Sequence, residues 1–114
     1  MDAFELKDVI VQQQASGRAY LEFLRVAAMS AGVYSLPKDG LDPQKPHAED
    51  EVYVVLHGKA MIRVGEEDRA VEAGSVIFVG AQVEHHFHTI TEDLTVLVFF
   101  APAEYTNAAQ AGGH

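Results

Sequence analysis

Two stretches of this sequence decide its fold: PHAEDEVYVVLHG at residues 46–58 and AGSVIFVGAQVEHHFH at residues 73–88. Both contain short apolar or alternating runs bounded by proline or glycine, a pattern typical of β-strands. They carry His47, Glu51 and His85, and imidazole and carboxylate groups are the usual protein ligands of divalent transition metals in the absence of thiolates. The two stretches therefore predict strands that present a three-ligand metal site.

The chain after Ala19 continues in the same way. Eight short runs have strand composition, at residues 20–29, 32–36, 51–56, 60–64, 70–73, 75–80, 85–90 and 94–100. Turn-forming residues separate them, among them His57-Gly58 and the segment from Thr91 to Asp93. Strands so close together, with no helices between them, pair antiparallel, and closing or sandwiching them removes exposed edges. The sequence predicts an all-β fold, either a β-sandwich or a barrel of the jelly-roll kind.

The two ends of the chain have different patterns. Apolar side chains near helical spacing stand at Phe4, Leu6, Val9 and Ile10. Asp2 is a candidate N-cap and Gly17 a candidate stop signal, which predicts a short N-terminal helix or arm over residues 1–17. We expect a single domain over residues 1–106 and a flexible C-terminal tail over residues 107–114.

Composition narrows the classes of partner and ligand. With 114 residues and 48% hydrophobic content, the chain is sized for one core. Its 17 acidic and 8 basic residues give a formal net charge of −9, which disfavours nucleic acid and anionic membrane surfaces as partners. The absence of cysteine leaves nitrogen and oxygen as metal ligands. Neither a signal-peptide pattern nor an apolar run of membrane-spanning length is present, so we expect a cytoplasmic protein.

Strand alternation indicates which side chains share a face. Residues two apart point the same way, so Glu51, Tyr53 and Val55 share one face of their strand. In the later run His85, Phe87 and Thr89 share a face, whereas His86 and His88 share the opposite one. A glutamate among apolar strand neighbours is costly to bury unless a cation pairs with it. If Glu51 and His85 point inward, Tyr53 and Phe87 line a small-molecule pocket; the alternative is that they are only core.

At these residues the sequence resembles the cupins, in particular their small single-domain microbial members. Glu51 and Gly58 have the spacing of the first cupin motif, with His47 at its second histidine, and Gly74 and His85 have the separation of the second motif. The resemblance covers most of the chain. It implies a single-domain jelly-roll β-barrel and identifies His47, Glu51 and His85 as members of the family's ligand set.

Several motif positions depart from the cupin pattern. Gln44-Lys45 stands where the first motif carries its earlier histidine. Gly80 and Gln82 stand in place of the second motif's proline and glycine, and Thr89 replaces its terminal asparagine. The usual ligand set of three histidines and one glutamate is thus reduced to three residues, with the amide oxygen of Gln44 as a candidate fourth ligand.

A solvated or structural role is the alternative for each of these residues taken singly, but together, at motif spacing, His47, Glu51 and His85 favour metal. Other residues receive the simpler interpretation. We expect His57 to be exposed at a hairpin turn, Phe78 to be core, Lys45 to be solvated, Glu49 and Asp50 to belong to a solvated charge cluster, and Glu84, His86 and His88 to lie outside.

The resemblance implies a metal-dependent enzyme of the dioxygenase, isomerase or lyase type. It would act on a small oxygenated metabolite, with Glu51 as the catalytic residue and one divalent transition metal, iron, manganese, nickel or zinc, as cofactor. The alternative is a non-catalytic module that binds or senses a small molecule. We also expect a homodimer, because the segment containing Leu21, Phe23 and Leu24 can cover or exchange a sheet edge.

Overall fold

The computed structural model describes residues 1–106, so the expected tail at residues 107–114 lies outside the described part. Its elements are α1 (Leu6–Ser16), β1 (Tyr20–Val26), β2 (Met29–Leu36), β3 (Asp50–Val64), β4 (Glu67–Glu72), β5 (Val76–Val79) and β6 (His85–Ala101). Every strand pairing is antiparallel. The predicted all-β jelly-roll with a short N-terminal helix is confirmed.

A buried side-chain amide, that of Gln13, helps attach helix α1 to the sheet. The helix begins after Glu5 rather than Asp2, and it ends at Gly17, which has a left-handed φ of 72°. The amide nitrogen of Gln13 donates to the carbonyl of Arg18 at 2.7 Å, and its amide oxygen accepts a hydrogen bond from the Ser35 hydroxyl at 2.8 Å. These bonds satisfy a buried polar side chain and hold the helix against β1 and β2.

The six strands form one sheet in the order β1-β2-β6-β3-β4, and β5 also pairs with β3. β3 and β6 are long and run beside each other for most of their length. β5 pairs with the first part of β3, and β4 with the last part. The start of β3 and the start of β6 therefore belong to the same curled sheet, and both starts carry predicted ligands.

The eight predicted runs correspond to six strands, because two expected turns are bulges inside long strands. Runs 51–56 and 60–64 form β3, and runs 85–90 and 94–100 form β6. The register between β3 and β6 shifts around His57 and Lys59. Run 20–29 is divided instead, since a turn at Ala27 and Ala28 ends β1 before β2 begins.

The predicted assignment of side chains to the inner face is correct in the first part of each long strand and wrong at one position, Thr89. Glu51, Tyr53 and Val55 are all buried, as are His85 and Phe87. Alternation then breaks. Thr89 is exposed, has a left-handed φ of 48°, and leaves the next residue, Ile90, buried in its place. The prediction that Thr89 shares the inner face was wrong, because the irregular pairing with β3 reverses the alternation there.

Candidate metal centre

Three side chains meet at the start of the two long strands. Nε2 of His85 lies 2.8 Å from Oε1 of Glu51, and Nδ1 of His47 lies 3.6 Å from the same oxygen. One ligand atom from each residue lies within 4.8 Å of the other two. Glu51 and His85 are 2% and 3% exposed, and His47 is partly buried. The structure thus brings together the three residues that the sequence predicts as ligands.

Two of the three ligands lie at strand starts, and the third lies in a loop. Glu51 lies near the start of β3, between partners on β5 and β6, and His85 is the first residue of β6. His47 lies in the loop before β3, where its carbonyl oxygen accepts a hydrogen bond from the backbone N–H of Gln82 at 2.6 Å. Gln82 has a left-handed φ of 67°. Gln82, one of the residues that depart from the second cupin motif, therefore helps tie the two ligand-bearing segments together.

The ring of His85 is oriented by the backbone. Its Nδ1 lies 2.9 Å from the carbonyl oxygen of Val83, and since a carbonyl only accepts, Nδ1 carries a proton and donates it. Nε2 is then the atom that faces Glu51 and the hydroxyl of Tyr53, which lies 3.0 Å away. A backbone carbonyl that fixes the far nitrogen of a histidine is a common support for a metal ligand.

The candidate fourth ligand, Gln44, is engaged elsewhere. Its amide oxygen accepts a hydrogen bond from the Tyr53 hydroxyl at 2.9 Å, and its amide nitrogen donates to Asp42 at 2.8 Å. Asp42 also accepts from the Tyr34 hydroxyl at 2.6 Å and from the amide of Phe87 at 2.9 Å. Ligation by Gln44 requires its oxygen to leave Tyr53, so its role as a ligand stays a prediction.

Sequence reasoning missed Glu104. This residue follows β6, is buried, and places Oε2 3.0 Å from Nε2 of His47. Glu104 follows the apolar run 94–100 and Pro102, and no motif spacing relates it to His47. Only the fold reveals that the cluster has a second carboxylate.

The electrostatics of the cluster are those of paired opposite charges. Burial alone lowers the pKa of His47, but the neighbouring carboxylates of Glu104 and Glu51 outweigh it and raise the pKa to about 9. Burial likewise disfavours charge on Glu51 and on His85. Contacts with His47 and His85 outweigh the effect of burial on Glu51 and lower its pKa. Contacts with Glu51 and the Val83 carbonyl outweigh the effect of burial on His85 and raise its pKa. In the absence of a metal, these shifts favour an ionised Glu51 and protonated imidazoles on His47 and His85.

Two atoms of the cluster are buried and unsatisfied. Among the described residues, Nδ1 of His47 and Oε2 of Glu51 have no hydrogen-bond partner, although both are shielded from solvent. Unsatisfied buried polar atoms are costly and rare. Two imidazoles and one carboxylate are the donor set of the facial-triad sites that bind divalent iron, and they also suit manganese, nickel and zinc. The residues therefore fit a divalent metal ion.

A pocket of about 400 Å³ opens beside His47. It is lined by Tyr20, Tyr34, Pro43, Gln44, Lys45, Pro46, His47, Val98, Phe100, Glu104 and Tyr105. Tyr53 and Phe87, the predicted pocket residues, pack edge-to-face in the closed core with ring centroids 5.0 Å apart and do not line this pocket. The Tyr53 hydroxyl contacts both Gln44 and His85, so Tyr53 supports the cluster from the core side.

Five residues that we expected to be exposed or to lie outside the core do so. Lys45 and Glu84 are exposed, and so is His57, which lies at a bulge rather than a hairpin turn. His86 and His88 lie outside the buried core, and His88 pairs with Asp68 at 2.7 Å.

Two expectations were wrong. Phe78 is 63% exposed, since β5 turns that side chain outward. Glu49 is buried, because its carboxylate accepts a hydrogen bond from the amide of Tyr105 at 2.9 Å.

Comparison with known proteins agrees with the fold. A family model described as a cupin domain matches residues 32–100. The chain belongs to the cupin family. An uncharacterised protein of Streptomyces coelicolor is 51% identical to this cupin over 104 residues, covering 91% of the chain and 99% of the relative.

Solved structures share this fold at low sequence identity. A protein of Thermus thermophilus matches this cupin with a TM-score of 0.69 and 25% identity, over 90% of the chain and 99% of that protein. The DMSP lyase DddQ of Ruegeria pomeroyi matches with a TM-score of 0.65 and 20% identity, over 73% of the chain and 47% of the lyase.

Within residues 1–106, none of the helical structure is long and apolar enough to cross a membrane.

Proposed function

We propose that this cupin binds one divalent transition metal through His47, Glu51 and His85 and acts as a metal-dependent enzyme on a small oxygenated metabolite. The observation that carries the proposal is the pair of buried, unsatisfied atoms, Nδ1 of His47 and Oε2 of Glu51, in a cluster whose ligand atoms lie within 4.8 Å of one another. A cation bound between them satisfies both atoms. When bound, such a metal activates dioxygen or polarises a carbonyl or enol oxygen.

The residues around the cluster define what the site can admit. The pocket beside His47 is of small-metabolite size, and the rings of Tyr34 and Phe100 form part of its wall. An apolar wall excludes water and strengthens electrostatic interactions with the bound molecule. Glu51 helps set the charge of the site, because its carboxylate lies beside both histidines.

A second candidate function is a non-catalytic module that binds a small molecule in the same pocket. It is favoured by the extent to which the cluster is already paired, with His47 on Glu104 and His85 on Glu51. The amide oxygen of Gln44, in the place of the missing histidine, is also already bound, to Tyr53.

Metal content is the test of the proposal. Elemental analysis of the purified protein should find close to one divalent metal per chain, and calorimetric titration of metal-free protein with iron(II), manganese, nickel or zinc should show one site. Glu51→Ala should lose that site and, once a substrate is found, all turnover, because it removes the shared carboxylate. His57→Ala is the matched control, since it removes an exposed imidazole outside the cluster.

A wild-type protein that is metal-free as purified and binds none of the four ions would refute the metal. If the protein binds metal and a small molecule but turns over no tested class of compound, the binding module is favoured instead. Undiminished turnover by Glu51→Ala would overturn the enzyme assignment.

The proposal includes a homodimer that pairs through β1. This strand is one of the two end strands in the sheet order, and Val26 at its end is 49% exposed. Unpaired edge strands offer backbone groups to a second copy. Sedimentation equilibrium at micromolar concentration should give the mass of a dimer, and Val26→Lys should weaken it; a wild-type monomer would contradict the pairing.

A further inference from the structure

We propose that Glu104 is a positioning residue that holds His47 so that Nδ1, rather than Nε2, is its metal-binding atom. The inference rests on the proposed metal site and adds a residue outside the segment that matches the cupin family. Glu104 itself is not one of the three clustered ligands. Its role is to occupy one end of the His47 ring.

The two nitrogens of His47 face different carboxylates. Nε2 lies 3.0 Å from Oε2 of Glu104, within hydrogen-bond distance. Nδ1 lies 3.6 Å from Oε1 of Glu51, on the side of the other ligand atoms, and has no hydrogen-bond partner among the described residues. A carboxylate only accepts, so Nε2 donates a proton to Glu104. The unprotonated nitrogen of a neutral His47 ring is then Nδ1, which faces the cluster.

Glu104 is built into the fold rather than placed at a free chain end. Its amide donates to the hydroxyl of Ser30, which is fully buried on β2, at 2.9 Å. Its carbonyl oxygen accepts a hydrogen bond from the guanidinium of Arg25, on β1, at 2.8 Å. The next amide, that of Tyr105, donates to the buried carboxylate of Glu49 at 2.9 Å. Contacts from β1, from β2 and from the loop before β3 fix the backbone that carries this carboxylate.

These contacts give a common purpose to residues that the metal cluster leaves unexplained. Ser30, Arg25 and Glu49 are not among the three clustered ligands, yet each holds the turn at Glu104. A carboxylate that accepts a proton from the far nitrogen of a ligating histidine fixes the ring and makes the near nitrogen a stronger ligand. Loss of such a partner weakens metal binding about 10- to 100-fold in proteins where it has been tested.

The test compares wild type with Glu104→Ala, Glu104→Gln and Glu66→Ala, using zinc and cadmium-113 as probes. Zinc affinity is measured by competition with a chromogenic chelator. In cadmium-113-loaded, nitrogen-15-labelled protein, coupling identifies the ring nitrogen bound to the metal. Glu66→Ala is the charge-matched control, because it removes one carboxylate at an exposed turn.

In wild type, cadmium should couple to Nδ1 of His47 and Nε2 of His85. Glu104→Ala should bind zinc about 10- to 100-fold more weakly, and the His47 ring should lose its single well-defined tautomer. Glu104→Gln should retain Nδ1 coupling and recover part of the affinity, since its amide oxygen also accepts a hydrogen bond. Glu66→Ala should match wild type. A merely structural role for Glu104 does not change which nitrogen binds the metal.

Three results would overturn the inference. Cadmium coupling to Nε2 of His47 in wild type contradicts the assigned atom. Zinc affinity and ring signals in folded Glu104→Ala that match those of Glu66→Ala contradict the positioning role, while leaving the metal site itself intact. Failure of wild type to bind either ion removes the proposed function and this inference together, so the two kinds of failure are distinguishable.

Discussion

Nε2 of His85 and Oε1 of Glu51 lie 2.8 Å apart, with both side chains almost completely shielded from solvent. This contact joins the start of β6 to the start of β3 and uses only one of the two carboxylate oxygens. The other, Oε2, is buried without a hydrogen-bond partner among the described residues. The pair is therefore held in place by the sheet, and it leaves one buried carboxylate oxygen without a partner.

Glu51→Gln should destabilise the metal-free protein by about 3–5 kcal/mol, because it removes the shared negative charge from a buried pair. The free energy of unfolding is measured in urea at neutral pH with a chelator present. Glu66→Gln, an exposed change of the same chemistry, should stay within about 0.5 kcal/mol of wild type. Equal stabilities for the two variants would mean that the pair adds nothing to folding.

Much of the site could be predicted from local patterns. Alternation places Glu51 and Tyr53 on one face, and His85 and Phe87 on one face, because the two-residue period belongs to any extended strand. Motif spacing adds His47, which lies in a loop where alternation does not apply. These five residues could be predicted without knowing which strand or loop each of them contacts.

The errors concern features set by distant contacts. Gly58 in a bulge has the same local signature as glycine in a turn, and only pairing with β6 distinguishes the two. Thr89 changes face for the same reason. Glu49 and Glu104 resemble solvated charges in the sequence, because the groups that bury them, the amide of Tyr105 and the ring of His47, are far away along the chain.

Tyr34 should make the stability of this cupin fall at alkaline pH. Burial and the hydrogen bond to Asp42 raise the pKa of its hydroxyl well above the usual value. Below about pH 10 both the folded and the unfolded chain keep this proton, so the contribution is fully present. Above that pH the unfolded chain loses the proton and the folded one retains it, so stability falls by up to about 1.4 kcal/mol per pH unit.

Tyr34→Phe is the control for this titration. It should cost about 1 kcal/mol at pH 7 through the lost hydrogen bond, and its stability should fall less steeply than that of wild type between pH 10 and 11. Urea unfolding at pH 8, 10 and 11 measures both effects. Parallel curves for the two proteins would show that Tyr34 does not carry the dependence.

Gly58→Ala should destabilise the protein more than Gly74→Ala, although both glycines have a φ of 97°. A Cβ at Gly58 would overlap the backbone of Asp93 across the bulge, whereas a Cβ at Gly74 meets open space. The left-handed backbone costs about 1–2 kcal/mol at either site, and the overlap adds about 1–3 kcal/mol at Gly58 alone. Urea midpoints of the two variants give the comparison, and equal losses would contradict a close approach at the bulge.

Gly32→Ala should displace Tyr20 from the pocket wall. The phenol ring of Tyr20 lies directly against Gly32, and a Cβ there would overlap its outer atoms. We expect a loss of about 1–3 kcal/mol from this overpacking. Tyr20→Ala leaves room for the new methyl group, so adding Gly32→Ala to that variant should cost much less than adding it to wild type. The four unfolding free energies form a double-mutant cycle, and additive losses would show that Tyr20 does not occupy the space that glycine leaves.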